Sequence, residues 1–151
     1  MPPTAGHLVR YLLPEFTQPG STIDARTFVD DPRFAARADE TMSPDAEIPF
    51  TAPGGGALGV MGGPFAGADG FRAGWTEWLA SWDEFTMIVE EFTEISNETA
   101  LTLVDCFGRM AGSQQTLEQG AAALFKAEGG KITRVEHFLD KAQARRTAGL
   151  D

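Results

Sequence analysis

His137 is the side chain whose type and position best suit proton transfer in this chain of 151 residues. Around it Val135, His137 and Leu139 alternate with Arg134 and Glu136, and this period of two predicts a β-strand. An imidazole has an unperturbed pKa of about 6.5, so it can take up or release a proton near neutral pH. We expect His137 to face an apolar interior, as a general acid or base or, alternatively, as a hydrogen-bonded packing residue.

Other reactive side chains form weaker patterns. Cys106 lies in an apolar run of a predicted strand, which favours a buried, inert thiol over a nucleophile. His7 and His137 are far apart in the sequence and no cluster of metal ligands is visible, so we expect neither a metal nor a cofactor. The acidic residues between Asp83 and Glu98 have no base among them, which is typical of a solvated sheet face.

A glycine-rich segment matches a nucleotide-binding pattern by spacing alone. Residues 54–59 read G-x-G-x-x-G, which requires a preceding strand and a helix directly after it. Gly62, Gly63 and Pro64 follow instead, so nucleotide binding is not expected. We interpret residues 53–70 as a flap that could close over a binding site. Its apolar members are Leu58, Val60, Met61 and Phe65.

Composition limits the class of protein. Hydrophobic residues make up 42% of the chain and charged residues 23%, as in a folded domain. Twenty-two acidic and twelve basic residues give a net charge of −10, which disfavours nucleic acid and anionic membranes as partners. The single cysteine cannot form an internal disulfide and the N-terminus has no signal-peptide pattern, so we expect a cytoplasmic protein.

The first half of the chain has helical patterns. Four prolines in residues 1–20 favour an N-terminal extension, followed by one domain over residues 21–151. Ser21 and Asp24 resemble a capping box for a helix to about residue 30, and Asp31 caps a second helix. A short strand at 48–51 precedes a helix that we expect to be capped by Asp69. The apolar stripe of this helix is Phe71, Trp75, Trp78, Leu79 and Trp82.

The second half changes to a period of two. Strands are predicted over 85–95, 99–110, 115–126 and 131–139, separated by short turns that indicate an antiparallel meander, and a final helix spans 140–148. Helices followed by strands predict an α+β fold in which the helices cover one face of a curved antiparallel sheet.

Two segments carry a resemblance to a known family. They are GADGFRAGWTEWLASWDEF and GGKITRVEHFLDKAQARRTAGL. With the order of elements, they resemble the SnoaL-like group of the nuclear transport factor 2-like superfamily. This superfamily contains polyketide cyclases, a ketosteroid isomerase, dehydratases, epoxide hydrolases and non-catalytic binding proteins, so the resemblance indicates a fold more than an activity.

The resemblance implies a cone-shaped α+β barrel, in which the curved antiparallel sheet wraps around the N-terminal helices and leaves an apolar pocket. It also implies homodimers joined through the outer sheet face. Aligning the turn at 130–132 with that of the isomerase places Gly120, Ala122 and Leu124 on the pocket face. The same alternation adds Glu118 and, in the strand before, Leu103, Asp105 and Phe107. The two acids of the isomerase correspond to Phe50 and Ala122, which cannot transfer protons, so its chemistry is not implied.

Three hypotheses follow. In the first, a cyclase, isomerase or hydrolase acts on an apolar or aromatic ligand through His137, with Asp105 or Glu118 orienting the imidazole and Arg109 stabilising an oxyanion. In the second, the cone is a binding or carrier module; in the third, a dimeric assembly protein without a ligand. The predicted ligand-binding residues are Trp75, Trp78, Phe107, Arg109, Ala122, Val135, Leu139 and Phe50, although Trp78 and Trp82 could simply pack the core.

Overall fold

The computed structural model describes residues 2–52 and 63–150. The helices in these residues are α1 (Ala5–Leu12), α2 (Ala25–Asp30), α3 (Pro32–Thr41), α4 (Gly67–Leu79) and α5 (Lys141–Thr147), with a 3-10 helix at Pro14–Thr17. The strands are β1 (Thr22–Asp24), β2 (Met42–Glu47), β3 (Phe50–Thr51), β4 (Trp82–Ser96), β5 (Thr99–Met110), β6 (Thr116–Glu128) and β7 (Lys131–Phe138).

One seven-stranded sheet contains all of these strands, in the order β1-β4-β5-β6-β7-β2, with β3 also paired to β7. The four long strands β4 to β7 pair antiparallel with their neighbours in sequence, as the short predicted turns require. β2 and β3 run parallel to β7. The sheet is curved and unclosed, which confirms the predicted α+β class and cone.

Each face of the sheet packs against helices. The larger apolar cluster joins the concave face to α1, α2, α3 and α4. A smaller cluster lies on the convex face, where Ala144 of α5 packs over Leu101, Leu103, Leu124 and Phe138. Side chains of one strand alternate between the two clusters, so register decides which residues can reach a site inside the cone.

The N-terminal segment differs from the prediction of an extension. Thr4 caps α1 by accepting a hydrogen bond from the His7 amide at 3.1 Å, and Val9, Leu12 and Phe16 are buried in the core. None of the four prolines interrupts α1: Pro2 and Pro3 precede it, Pro14 begins the 3-10 helix and Pro19 follows that helix. The segment therefore belongs to the domain.

Several predicted boundaries also differ. Thr22–Asp24 pair with β4, so the first predicted helix begins only at Ala25, with Asp24 as its cap. β2 begins at Met42 and includes Pro44, which an edge strand tolerates.

The tryptophan-bearing helix is displaced at both ends. α4 begins at Gly67, so Asp69 lies in its first turn rather than at its cap. The helix ends at Leu79, and Trp82 is the first residue of β4. Trp82 therefore belongs to the sheet and not to the apolar stripe of the helix.

The glycine-rich pattern at 54–59 and the predicted flap residues Leu58, Val60 and Met61 lie outside the described residues. Phe65 is described, and its ring contacts Phe50 edge-on with centroids 5.8 Å apart. The structure therefore does not test the flap.

Candidate functional site

A cavity lies inside the cone, between α4 and the concave face of the sheet. The cavity is narrow, with a volume of about 60 Å³, and is partly open to solvent. Its walls are almost entirely apolar. They consist of Phe16, Phe50, Trp75, Trp78, Phe85, Met87, Thr102, Val104, Cys106, Ala121, Ala122, Ala123, His137, Phe138 and Leu139.

His137 lies in this wall, as predicted, and three elements fix its ring. The His137 amide of β7 donates to the Pro49 carbonyl at 2.9 Å. Phe50, the residue opposite it in β3, stacks on the imidazole with centroids 4.3 Å apart and planes 5° from parallel. From α4, the Trp75 indole nitrogen donates to Nε2 of His137 at 3.1 Å.

These contacts define the protonation state of His137. An indole N–H can only donate, so Nε2 must accept and the neutral ring carries its proton on Nδ1. Burial lowers the pKa of His137 to about 4, and the nearby Pro49 carbonyl opposes this shift only in part. Nδ1 is buried and forms no hydrogen bond within the described part of the chain. His137 is therefore a neutral imidazole whose buried Nδ1–H is near the Pro49 carbonyl but forms no hydrogen bond of good geometry with it.

The two remaining polar residues of the wall contribute little chemistry. The Thr102 hydroxyl donates to the Phe16 carbonyl at 3.3 Å. Burial and, to a smaller extent, the charge of Asp105 raise the pKa of Cys106 to about 12. Cys106 therefore stays a protonated thiol, which agrees with the prediction of an inert cysteine.

The predicted pocket positions of Asp105 and Glu118 are wrong. Asp105 accepts a hydrogen bond from Lys141 at 2.6 Å, on the face covered by α5, and Glu118 is exposed opposite Phe107. The residues of β5 that face the cavity are Thr102, Val104 and Cys106, one position out of phase with the expected set. Because a shift of one residue turns every side chain over, neither carboxylate can orient His137.

The same shift relocates other predicted ligand contacts. Phe107 and Arg109 share the face of Asp105 and do not line the cavity, and Arg109 pairs with Glu84 at 3.4 Å. Ala122 borders the cavity, but its side chain packs in the convex cluster with Leu103 and Leu124. Gly120, which pairs with Asp105, is also on the convex face, where the Lys141 side chain covers it.

The remaining predicted contacts lie inside the cone. Trp75, Trp78, Phe50 and Leu139 line the cavity, whereas Val135 is fully buried in the core beside it. Trp75 is more than a packing residue because its N–H binds His137. Trp78 and Trp82 contact each other and Phe85, at the outer end of the cavity wall.

Sequence reasoning missed the wall residues contributed by β4, β5 and the N-terminal segment. Phe85 and Met87 alternate with polar Glu84 and Thr86, a pattern that predicts their inward orientation. Ala121 and Ala123 are the inward alanines of β6; a run of small residues gives no alternation from which to tell them from Ala122. Phe16 could not be found, because residues 1–20 gave no sign of entering the core.

The described ranges 2–52 and 63–150 contain no group of histidine, cysteine and acidic side chains that could hold a metal ion. Over the same residues, no helix is long and apolar enough to cross a bilayer.

No protein-family model and no curated protein matches the sequence. Several solved structures, in contrast, match its fold. A SnoaL-like polyketide cyclase from Jannaschia sp. CCS1 superposes with a TM-score of 0.64 at 18% identity, covering 99% of this chain and 96% of that one. TerC, co-crystallised with polyporic acid, gives 0.60 at 18% identity over 94% and 98% of the two chains.

A third protein, from Catenulispora acidiphila, has a ketosteroid isomerase-like fold and was crystallised with trimethylamine. It gives a TM-score of 0.56 at 11% identity and covers 98% of this chain and 96% of that one. At such identities the likeness concerns the fold alone, and an activity has to be argued from the site.

Proposed function

Starting from a chain with the nuclear transport factor 2-like cone fold, we propose that the protein binds a small, uncharged aromatic molecule inside the cone. The observation that carries this proposal is the narrow cavity, whose wall of aromatic and aliphatic side chains contains one neutral imidazole paired with an indole N–H. Apolar walls with few oriented polar groups are typical of small-molecule sites. Of the three hypotheses, the binding or carrier module has the most support.

The state of His137 argues against general base catalysis. A base needs a free lone pair, and that of Nε2 is occupied by the Trp75 N–H. A pKa of about 4 leaves the ring a weak base and leaves almost none of it protonated near neutral pH. The carboxylates expected to assist, Asp105 and Glu118, are on the other face of the sheet.

The unpartnered Nδ1–H of His137 favours one catalytic alternative. A neutral imidazole can polarise a carbonyl by donating a hydrogen bond to it, without transferring its own proton. An enzyme of the cyclase or isomerase type would use His137 in this way, since the oxygen of a bound ketone would satisfy the buried donor. One protein of the same fold is named as a SnoaL-like polyketide cyclase, and that name is compatible with such chemistry.

Binding is tested with acetophenone, an uncharged one-ring ketone. We expect it to shift the NMR signal of the Trp75 indole N–H, because that group lies in the cavity wall. Replacing Ala121→Leu fills the cavity and should weaken binding by about tenfold or more. The matched control is Ala142→Leu, an exposed position of α5 on the opposite side of the sheet.

Equal affinity of both variants and the unmodified protein would contradict binding in the cone, as would no response to acetophenone at all. Product analysis after incubation with aromatic and polyketide-like ketones separates the two candidates. Binding without product favours the carrier. Product formation that His137→Gln abolishes, in a variant that still folds, favours the enzyme.

A homodimer and a cytoplasmic location remain predictions. Sedimentation of the purified chain would test the first. The second needs localisation of the protein in its own cells.

A further inference from the structure

A surface groove lies among the first three helices, the 3-10 helix and β1. The groove has a volume of about 450 Å³, several times that of the cavity. The residues that line it differ from those that line the cavity, so these are two separate spaces. The apolar side chains of the groove are Leu12, Leu13, Ile23, Phe28 and Phe34, and it also contains charged side chains of both signs.

Phe28 of α2 lies between the groove and the cavity wall. Its ring lines the groove and is half-buried. The same ring meets two aromatic side chains of the cavity wall edge-on: Phe16, with centroids 5.3 Å apart, and Trp75, with centroids 5.4 Å apart. Phe28 itself does not line the cavity. At this point one phenyl ring therefore separates the groove from the wall of the cavity.

Hydrogen bonds hold the two wall residues in place. The Phe16 carbonyl accepts from the Thr102 hydroxyl of β5 at 3.3 Å, and the Trp75 indole nitrogen donates to Nε2 of His137 at 3.1 Å. Phe28 is held by packing alone, since its side chain has no donor or acceptor. Of the three rings, only that of Phe28 can turn away without breaking one of these hydrogen bonds.

The backbone of α2, in contrast, is fixed. Asp24 caps the helix by accepting from the Arg26 amide at 3.0 Å. The Arg26 guanidinium donates to the carbonyls of Leu79 and Asp83, both at 2.9 Å, where α4 ends and β4 begins. A movement of Phe28 is therefore a rotation of its side chain, and the groove beside it has room for the ring.

We infer that Phe28 is a gate between the groove and the cavity. When its side chain turns into the groove, a passage opens between Phe16 and Trp75, and a small uncharged molecule reaches the cavity through it. Such a gate controls the rates of entry and release rather than the affinity, because Phe28 is not part of the cavity wall. The inference goes beyond the proposed function, since it concerns the route into the cavity and not its occupant.

Cys106 allows a test without a ligand. It is the only cysteine of the chain, it lines the cavity and it is 3% exposed. Methyl methanethiosulfonate is a small uncharged reagent whose S-methyl sulfur forms a disulfide with the thiolate as methanesulfinate leaves. Burial raises the pKa of this thiol, so modification is slow and its rate depends on opening of the cavity. Mass spectrometry measures the rate.

We expect the rate to rise as the side chain at position 28 becomes smaller. Phe28→Leu should increase it by about threefold or more and Phe28→Ala by about tenfold or more, because each variant loses edge-on ring contacts. Low concentrations of urea should leave the rate unchanged, since rotation of one side chain exposes little surface. Modification through global unfolding would instead accelerate steeply with urea.

Phe34→Leu is the matched control. Phe34 lines the same groove and is 5% exposed, and its ring contacts Phe28 and Phe71, neither of which lines the cavity. Its modification rate should stay within about twofold of that of the unmodified protein.

Acetophenone gives a second measurement. Its association and dissociation rates, from NMR line shapes, should both rise in Phe28→Leu by about threefold or more, and its affinity should stay within about twofold.

Each outcome decides a different statement. Modification of Cys106 at the same rate in both Phe28 variants and the unmodified protein would overturn the gate. An equal increase in Phe34→Leu, or a rate that rises steeply with urea, would show general loosening and overturn it as well. A loss of acetophenone affinity without faster association would make Phe28 part of the binding wall instead. If Cys106 reacts faster in the Phe28 variants but acetophenone does not bind, the gate stands and the proposed function fails.

Discussion

At the scale of single residues, the environment of His137 decides what the cavity can do. A histidine in water is partly protonated near neutral pH, but here burial and the Trp75 N–H both favour the neutral form. The same group is therefore available as a hydrogen-bonding group and unavailable as a strong base. This is a property of its neighbours and not of the residue type.

The buried imidazole also makes stability depend on pH. The pKa of His137 is about 4 in the folded chain and about 6.5 when unfolded, so between these values the unfolded state binds more protons. Its contribution is fully present above pH 6.5 and is lost as the pH falls towards 4, by about 3 kcal/mol in all. Urea unfolding of the unmodified protein and of His137→Gln between pH 4 and 7 measures it.

Carboxylates titrate in both proteins, so their effect cancels in the difference between the two unfolding free energies. The stability advantage of the unmodified protein over His137→Gln should therefore shrink as the pH falls, because only the unmodified protein has the imidazole. His7→Gln, at an exposed position of α1, is the control and should keep the pH dependence of the unmodified protein. A pH-independent difference for His137→Gln would show that the imidazole does not titrate with a lowered pKa.

At the scale of elements, the pairing of β4, β5 and β6 decides which side chains line the cavity. Irregularities in β4 between Trp82 and Glu84 and between Val89 and Glu91 change which residues face the helices. The first of them brings Trp82 onto the concave face together with Phe85, where an undisturbed alternation would place the two rings on opposite faces. The absence of a side chain at Gly108 then admits the indole.

Gly108 therefore has a packing role that can be measured. In Gly108→Ala the new methyl would lie 2.6 Å from the Trp82 ring and 3.2 Å from that of Phe85, so a ring or the strand must move. We expect a loss of about 1–3 kcal/mol in unfolding free energy, typical of overpacking. Urea denaturation followed by circular dichroism measures this loss.

Gly120→Ala is the matched control. The same methyl on the neighbouring strand meets only the flexible Lys141 side chain, at 3.2 Å, and should cost much less. Similar losses for the two variants would mean that the contact with Trp82 is not the cause.

At the scale of the whole molecule, the N-terminal segment is part of the cone. α1 contributes Leu8, Val9 and Leu12 to the core, and Phe16 of the following turn reaches the inner end of the cavity. The Ala5 amide donates to the Asn97 carbonyl at the β4–β5 turn, which fixes the start of the helix against the sheet. Removing this segment would open the core as well as the cavity.

Leu12→Ala tests this role. Leu12 is 2% exposed, and its truncation should cost about 2–5 kcal/mol, as in other buried leucine sites. Its neighbour Tyr11 is 41% exposed: its hydroxyl donates to the Glu40 carboxylate and the Arg37 guanidinium lies over its ring, both at the surface. Tyr11→Ala should therefore cost about 1 kcal/mol or less. Thermal or urea unfolding measures both. A small loss for Leu12→Ala would restore the prediction that residues 1–20 are an extension.

Local pattern was sufficient for much of this protein. The period of two along β4 to β7, the short turns between them and the tryptophan-bearing helix predicted an α+β fold with a curved antiparallel sheet, and the family resemblance added the cone. The alternation around His137 predicted its inward orientation. These features depend on neighbours in the sequence, where strand and helix periods leave a direct trace.

Only the tertiary structure decided which residues line the cavity with His137. The β5 residues that do so are Thr102, Val104 and Cys106, and not Asp105. Pairing between strands decides which face of β5 turns inward, and alternation along the sequence alone leaves this open. The indole N–H that donates to Nε2 of His137 belongs to Trp75, 62 positions earlier in the chain, and no local pattern predicts that contact. The sequence of this protein determined its elements and the position of the imidazole in a wall; long-range packing determined that the imidazole is neutral and what surrounds it.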